Sequence, residues 1–338
     1  MAPLVSILIP AHNAEQWIED TIRSALAQTW PNKEIIIVDD GSTDQTLSIA
    51  QKFAFKTVSV IAQKNQGAAA ARNKAFALSQ GNYIQWLDAD DLLSSEKISK
   101  QMEVAQAAQD KRLLLSSPWA YFMYRPAKAR IIPSPLWSDL SPLEWLVRKC
   151  EHNAHMQPAT WLVSRELTEA AGPWDTRLSL DDDGEYFSRV LLASSGTRFV
   201  AEVKSYYRMS SSTSQSSVDS SRKKLDSQFL SMQLHLQYLL SLEDSERTRS
   251  ACIRYLQSRL AHFYPNRPDI FDQAVKLAAE LGGKLQIPRM GWKYAWIEKT
   301  FGFNTAKAVQ LRYNVYKSSA LRAWDKIMSL RETGRLPA

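Results

Sequence analysis

Only two of the 338 residues are cysteine, Cys150 and Cys252, far apart and in no metal-like spacing. That argues against a disulfide scaffold or a thiolate zinc cluster, and makes reduced cytosolic thiols the expectation. No apolar run approaches the ~20 residues that a transmembrane helix needs. An apolar strand, Leu4 to Ile9, begins almost at once, without a basic leader stretch or cleavage site, so a signal peptide is not expected. Internal repeats and nucleic-acid recognition motifs are also missing, which removes nucleic acid from the expected partners. Acids are the minority charge, 35 against 42 Lys and Arg, giving a net charge of +7. A basic balance of that size asks for phosphates or an anionic surface among the partners.

What is present is organised around Tyr83-Ile84-Gln85-Trp86-Leu87-Asp88-Ala89-Asp90-Asp91. The apolar run is too short for a helix and reads as a buried strand ending in carboxylates. In extended backbone, Asp88 and Asp90 would leave on the same face, where they repel unless a cation lies between them. Oxygen-only ligands favour a hard ion such as magnesium or manganese, often shared with substrate phosphates. The plainer reading of such a cluster is a solvated acidic turn capping the next helix, and the neighbouring motifs must decide.

Leu4 to Ile9, Glu34 to Val38, Thr57 to Ile61 and the organising stretch are expected as strands. Ala14 to Gln28, Gly67 to Ser79 and about Ser95 to Gln109 are expected as the helices between and after them. Strands alternating with helices at this spacing imply an α/β fold with a parallel sheet and right-handed crossovers. The polar clusters Pro10 to Asn13, Asp39-Asp40 and Asp88 to Asp91 then converge on one sheet edge, where such sheets bind nucleotides. Another strand is expected at Leu113 to Ser116. Pro118 to Pro142 reads as a loop or irregular hairpin, followed by a helix capped by Ser141 with Glu144 reaching back. Ala159 to Ser164 reads as a strand. Asp181-Asp182-Asp183-Gly184-Glu185 opens a further helix, where acids would in any case complement the helix dipole. A serine-rich linker is expected from Ser210 to Ser221. Beyond it the pattern is helical: Leu225 to Leu242, Glu246 to Phe263, Asp269 to Leu281, and Lys293 to Leu330 with a break near Gly302.

Four stretches together resemble the family 2 glycosyltransferases of GT-A fold. They are Val5 to Asn13, Ile37 to Asp44, Asn65-Gln66-Gly67 leading to Ala71-Arg72-Asn73, and Leu87 to Asp91. The resemblance covers roughly residues 1 to 210, and implies a catalytic domain over 1–212 with a helical basic region over 213–338. It implies that Pro10, Ala11, Asn13 and Glu15 line a nucleoside pocket. Asp39 or Asp40 would accept the imide hydrogen of a uracil-type base, with Asp40 favoured. Arg72 would approach the diphosphate, Asp88 the ribose and metal, and Asp90 would bind a divalent cation, Mn2+ or Mg2+. The family's base lies in an acidic pair ahead of a helix arginine; Asp182-Asp183 before Arg189 matches it. Asp183 is the favoured base, with Asp182 and Asp181 as alternatives. The implied reaction inverts the anomeric centre, moving a sugar from a nucleotide-sugar donor, a UDP-sugar for choice, to a saccharide or lipid-linked acceptor.

One departure stands out. Tyr207-Arg208 is followed by Met209 and serines, where many relatives carry a further ligand histidine. His152 and His155 are near in sequence, but lone histidines are more often structural. A catalytically silent sugar-nucleotide-binding or scaffold protein is therefore the alternative reading. The basic, tryptophan-rich tail could lie on an anionic membrane, or pack on the catalytic domain or a second subunit. The expected location is cytoplasmic, with peripheral contact at the inner membrane face as the most membrane involvement the chain allows.

Overall fold

The computed structural model describes residues 2–209 and 221–332. The serine-rich run at 210–220, with the expected boundary after residue 212, lies outside them. The first half alternates as its apolar spacing requires: β1 (Val5–Ala11), α1 (Ile18–Leu26), β2 (Lys33–Asp40), α2 (Thr46–Gln51), β3 (Val58–Gln63), α3 (Ala68–Leu78) and β4 (Tyr83–Trp86). These strands lie in the order β3-β2-β1-β4 and run parallel, with Ile7 opposite both Ile35 and Gln85. β1 is buried along its whole length. Both faces of the sheet are covered, so the strand reads as a continuous apolar run without alternation. The chain changes direction across the sheet between β1 and β4, which sets a crevice at their C-terminal ends.

The second half adds β5 (Leu92–Leu93), α4 (Lys97–Ala108), β6 (Leu113–Ser116), β7 (Trp119–Phe122), β8 (Arg130–Ile131), α5 (Pro142–His152), β9 (Val163–Ser164), α6 (Arg165–Ala171), α7 (Asp182–Ala193), β10 (Gly196–Phe199) and β11 (Ser205–Arg208). β9 joins the main sheet antiparallel to β4, β6 pairs with β10, and β5-β11-β7-β8 form a small sheet. Of the loop or irregular hairpin expected over Pro118 to Pro142, the hairpin is present as antiparallel β7 and β8.

Three local expectations need correcting. The organising strand stops at Trp86, and Asp88 to Asp91 form a turn closed by the Asp91 N–H on the Asp88 carbonyl at 3.1 Å. Extended alternation therefore does not place Asp88 and Asp90; the turn does. The strand expected from Ala159 begins as a 3-10 turn, Pro158–Thr160, because Pro158 fixes a turn-compatible φ; Leu162 bridges to Leu115 and Val163–Ser164 pair with β4. Ser141 does cap α5 through the Glu144 N–H, but the Glu144 carboxylate binds Arg148 and Arg247 and does not reach back to complete a capping box.

The C-terminal helices behave as two groups. α8 (Arg222–Leu242), α9 (Glu246–Phe263) and α10 (Pro268–Glu280) bury Phe229, Met232, Leu236, Tyr255 and Phe263 in the same core as Trp86, Trp161 and Tyr186. α11 (Trp292–Phe301) and α12 (Phe303–Glu332), separated at Gly302 as the spacing predicts, bury only Ile297 and Ala306. Among the described residues, no helix is long and apolar enough to cross a membrane. Cys150 and Cys252 are buried free thiols.

Candidate active site

A cleft of about 580 Å³ opens where β1 and β4 end. β1 delivers Pro10 and Ala11, and the chain then turns through His12 and Asn13, whose φ of 48° is left-handed. Asparagine tolerates that conformation because its short amide bonds locally. Here Asn13 Oδ1 accepts the Thr43 N–H at 2.8 Å, and the Asn13 N–H reaches Ser42 Oγ at 3.0 Å. The β1 and β2 loops are thus tied to each other. Gly41 makes this possible: φ is +66°, and a Cβ would come within 2.7 Å of the Asn65 nitrogen.

The two aspartates ending β2 diverge. Asp40 Oδ1 accepts from the Gln66 N–H at 2.9 Å and Gln63 Nε2 at 2.8 Å, and Oδ2 from the Gly67 N–H at 2.8 Å. Its carboxylate locks the entry to α3. Asp39 Oδ2 takes the Ser42 N–H at 3.1 Å, while Oδ1 is buried with no hydrogen-bond partner. Glu15 accepts the Gln45 N–H at 3.0 Å. Of the sequence-derived set, Pro10, Ala11, Asn13, Asp40, Arg72, Asp88, Asp90 and Asp183 line the cleft, whereas Glu15 and Asp39 do not.

Arg72 projects from α3 into the floor, with its guanidinium 4.3 Å above the Trp174 ring. It donates to Asp88 Oδ1 at 2.8 Å and to Asp182 Oδ2 at 2.7 Å, joining the β4 loop to the start of α7. Burial opposes the charge, but Asp88 and Asp182 outweigh it and raise the Arg72 pKa. Beneath the pair, Trp174 stacks on Tyr186 at 4.0 Å and meets the edge of Trp86 at 5.2 Å. Such ring pairs add ~0.5–1.5 kcal/mol each beyond their buried area, so this block fixes α7 against β4.

The three acids ahead of and within α7 have different surroundings. Asp181, left-handed at φ 60°, turns away toward α8, where its Oδ2 accepts from Ser231 Oγ at 2.7 Å. Burial would raise its pKa, but Lys149, His235 and Arg259 lower it. Asp182 is raised by burial, with Arg72 pulling the other way. Asp183 accepts the Gly184 N–H at 2.8 Å, and burial, then Asp182 and Asp181, push its pKa up to about 7. Gly184 follows Asp183 for a steric reason: a Cβ there would lie 2.2 Å from Asp181 Oδ1.

α8 also holds the wall that precedes these acids. Ser227 Oγ accepts the Ser179 and Leu180 N–H groups at 2.8 and 3.0 Å. Ser227→Ala would leave both amides without that acceptor, and is expected to lower unfolding free energy by ~2 kcal/mol in urea titration. A loss below ~0.5 kcal/mol would mean that water replaces the hydroxyl.

His12, Trp17, Asn65, Gln157 and Tyr207 also line the cleft, beyond the residues expected to bind substrate. His12 and Asn65 stand inside the first and third motifs and Tyr207 in the Tyr207-Arg208 pair, while Gln157 arrives from a distant element and carries no local signal. His152 and His155 are not in the lining; His155 lies against Trp119, and burial lowers its pKa. For a metal, the donor set is oxygen from Asp88 and Asp90, which suits a hard cation. Among the described residues no group of three or more His, Cys, Asp or Glu forms a ready-made cage, so further ligands would have to come from substrate and water. Asp91 is not aimed at the cleft: its Oδ1 accepts the Arg208 N–H at 2.9 Å.

Residues 6–170 match the model of Glycosyl transferase family 2. A 104-residue stretch is 46% identical to TuaG of Bacillus subtilis, named for teichuronic acid biosynthesis, covering 30% of this chain and 41% of TuaG. A stretch of 102 residues is 48% identical to WfaP of Escherichia coli, a UDP-Glc:alpha-D-GlcNAc-diphosphoundecaprenol beta-1,3-glucosyltransferase, covering 29% of this chain and 40% of WfaP. The matched stretch thus spans about two-fifths of these relatives' own length. The fold of S. aureus TarS in complex with UDP-GlcNAc superposes with a TM-score of 0.65 at 18% identity, over 82% of this chain and 81% of that one. At that identity the likeness is one of fold, and it agrees with the expected GT-A arrangement. With its motifs gathered at the edge of such a sheet, the chain is similar, over residues 6–170, to glycosyl transferase family 2.

Proposed function

We propose that the protein transfers a sugar from a nucleotide-sugar donor, a UDP-sugar for choice, to an acceptor hydroxyl with inversion. The observation that carries this is the single cleft into which Pro10 to Asn13, Asp88, Asp90 and Asp183 converge, with Arg72 bridging its two acidic sides. Asp40, which lines the cleft with its carboxylate oriented by the Gln66 and Gly67 amides, is kept as the acceptor of a base N–H, whereas Asp39 is buried outside the lining. Among the described residues Asp183 forms no ion pair, and burial raises its pKa, which suits a base that must take a proton near neutral pH. The acceptor hydroxyl gives its proton to Asp183 as its oxygen bonds to the anomeric carbon, and the bond from that carbon to the diphosphate breaks on the opposite face. A magnesium or manganese ion held by Asp90 and Asp88 would offset the charge gathering on the departing diphosphate.

The silent-binder alternative is favoured by one feature, the engagement of both terminal nitrogens of Arg72 by carboxylates, which competes with a diphosphate for them. Nucleoside diphosphate release, measured over a panel of sugar nucleotides with manganese, magnesium or chelator, separates the two. Release of one nucleotide, abolished by chelator and by Asp90→Ala, is expected. Metal-dependent binding without release, with saccharide and lipid-linked acceptors supplied, would establish the silent binder. Binding of no donor would overturn both.

A further inference from the structure

We propose that the outward face of α11 and α12 docks on an anionic lipid surface and there presents the cleft to an acceptor borne by that surface. The second half of the proposal rests on the transferase reading; the first does not. Among the described residues, twelve of the 20 exposed large apolar side chains fall between Ile287 and Ile327. Scattered exposed apolar residues need no explanation, but a concentration of this kind marks a contact surface. On α12, Val309, Tyr313, Tyr316, Ala320, Trp324 and Ile327 recur every three or four residues and are all exposed, forming one stripe. On α11, Trp292 is 83% exposed and Trp296 64%.

Charge decides what covers this face. Between Ile287 and Glu332 there are nine lysines and arginines against three acids. Two of the acids, Asp325 and Glu332, are engaged by Arg125 at 2.7 Å, and Glu298 accepts the Met290 N–H at 3.0 Å. The field toward solvent is therefore basic. A second copy meeting this face about a two-fold axis would set one basic surface against another. An anionic bilayer would instead attract it, and tyrosine and tryptophan suit an interface that is apolar on one side and wet on the other. No described helix can cross a membrane, so the contact would lie in the plane of the surface.

The face is also joined to the site. The Tyr124 N–H donates to Asp325 Oδ2 at 2.9 Å, and the Tyr124 ring lies 5.3 Å from Trp17, which lines the cleft. At its other end α12 is held by Lys307 Nζ, which donates to the Ala261 carbonyl at 2.6 Å. A helix of this length extends about 45 Å, and its Asp325 end is the part tied to Tyr124 beside the cleft.

The test is co-sedimentation of the full chain with phosphatidylcholine vesicles, with and without phosphatidylglycerol. Binding is expected only with phosphatidylglycerol, and it is expected to fall with salt. Both Trp292→Ser with Trp324→Ser and Arg312→Glu with Lys317→Glu are expected to weaken it about tenfold or more, without altering release of the nucleoside diphosphate to water. A chain that stays in solution with the anionic vesicles would overturn the proposal. So would concentration-dependent dimerisation abolished by the same substitutions, which would assign the face to a second copy. Vesicle binding is read without turnover, so failure of the transferase reading and failure of this one are separable.

Discussion

Asp183→Asn is expected to lower donor turnover about a thousandfold while changing donor affinity by no more than about threefold. The substitution keeps the shape of the side chain and its hydrogen bond to the Gly184 N–H, and removes only the ability to take a proton. Asp182 and Asp181 are poorer substitutes as proton acceptors, one held by Arg72 and the other turned toward Ser231. The pH profile supplies the sharper check. Burial and then the neighbouring charges of Asp182 and Asp181 set the Asp183 pKa at about 7, so the base is protonated below that value. The kcat/KM of wild type should therefore fall about tenfold per pH unit on the acid side, beginning at or below about pH 7. A cation on Asp88 and Asp90 would relieve part of the repulsion and move that limb downward. Asp182→Asn, by removing a like charge, should also move it downward. An acid limb that persists unchanged in Asp183→Asn would transfer the role to another group.

The site was legible to the extent that it is made of contiguous sequence. Pro10 to Asn13, Asp40, Asp88 and Asp90 follow strands whose apolar runs announce them, and a parallel sheet brings successive strand ends to one edge whatever the details of packing. What the sequence could not convey is how each carboxylate spends its oxygens. Asp39 and Asp40 are adjacent and identical in type, yet Asp40 reaches the cleft and ties down three neighbouring donors, while Asp39 keeps a buried oxygen without a partner. The difference arises from Gln63, Gln66 and Gly67, on a strand and loop more than 20 residues away. The same limit applies to the tail. Leu225 to Leu281 has a helical period, but periodicity does not say what an apolar face meets. α8 to α10 meet the sheet's own core, whereas α11 and α12, equally helical in period, leave their aromatics in solvent. Ser227 and Ser231, four residues apart, are ordinary polar positions in the sequence, and become supports of the acidic wall only when α8 is docked.

Arg72→Met is expected to destabilise the protein by ~3–5 kcal/mol and to abolish turnover. The arginine side chain is 7% exposed and is the cation between Asp88 and Asp182, with Asp183 close enough to feel its charge. Methionine fills the space above Trp174 and leaves three carboxylates facing one another without it. The pH dependence fixes the cause. Asp182 and Asp183 already have folded-state pKa values raised above their ordinary value, and Arg72 is what limits the rise in both. Without it they rise further, so the folded variant binds protons more tightly than its unfolded chain. A carboxyl raised in the folded state costs stability when ionised, above its folded pKa, and that cost fades as pH falls through that value. The deficit measured by urea unfolding should accordingly be largest at about pH 8 and shrink toward about pH 5.5. A deficit independent of pH would indicate lost packing against Trp174 instead. Arg72→Lys completes the argument. One ammonium restores positive charge but lacks the fork that donates separately to two carboxylates. Lysine should therefore recover much of the stability at neutral pH and little of the turnover, because Asp88 and the start of α7 would no longer be held in register across the cleft.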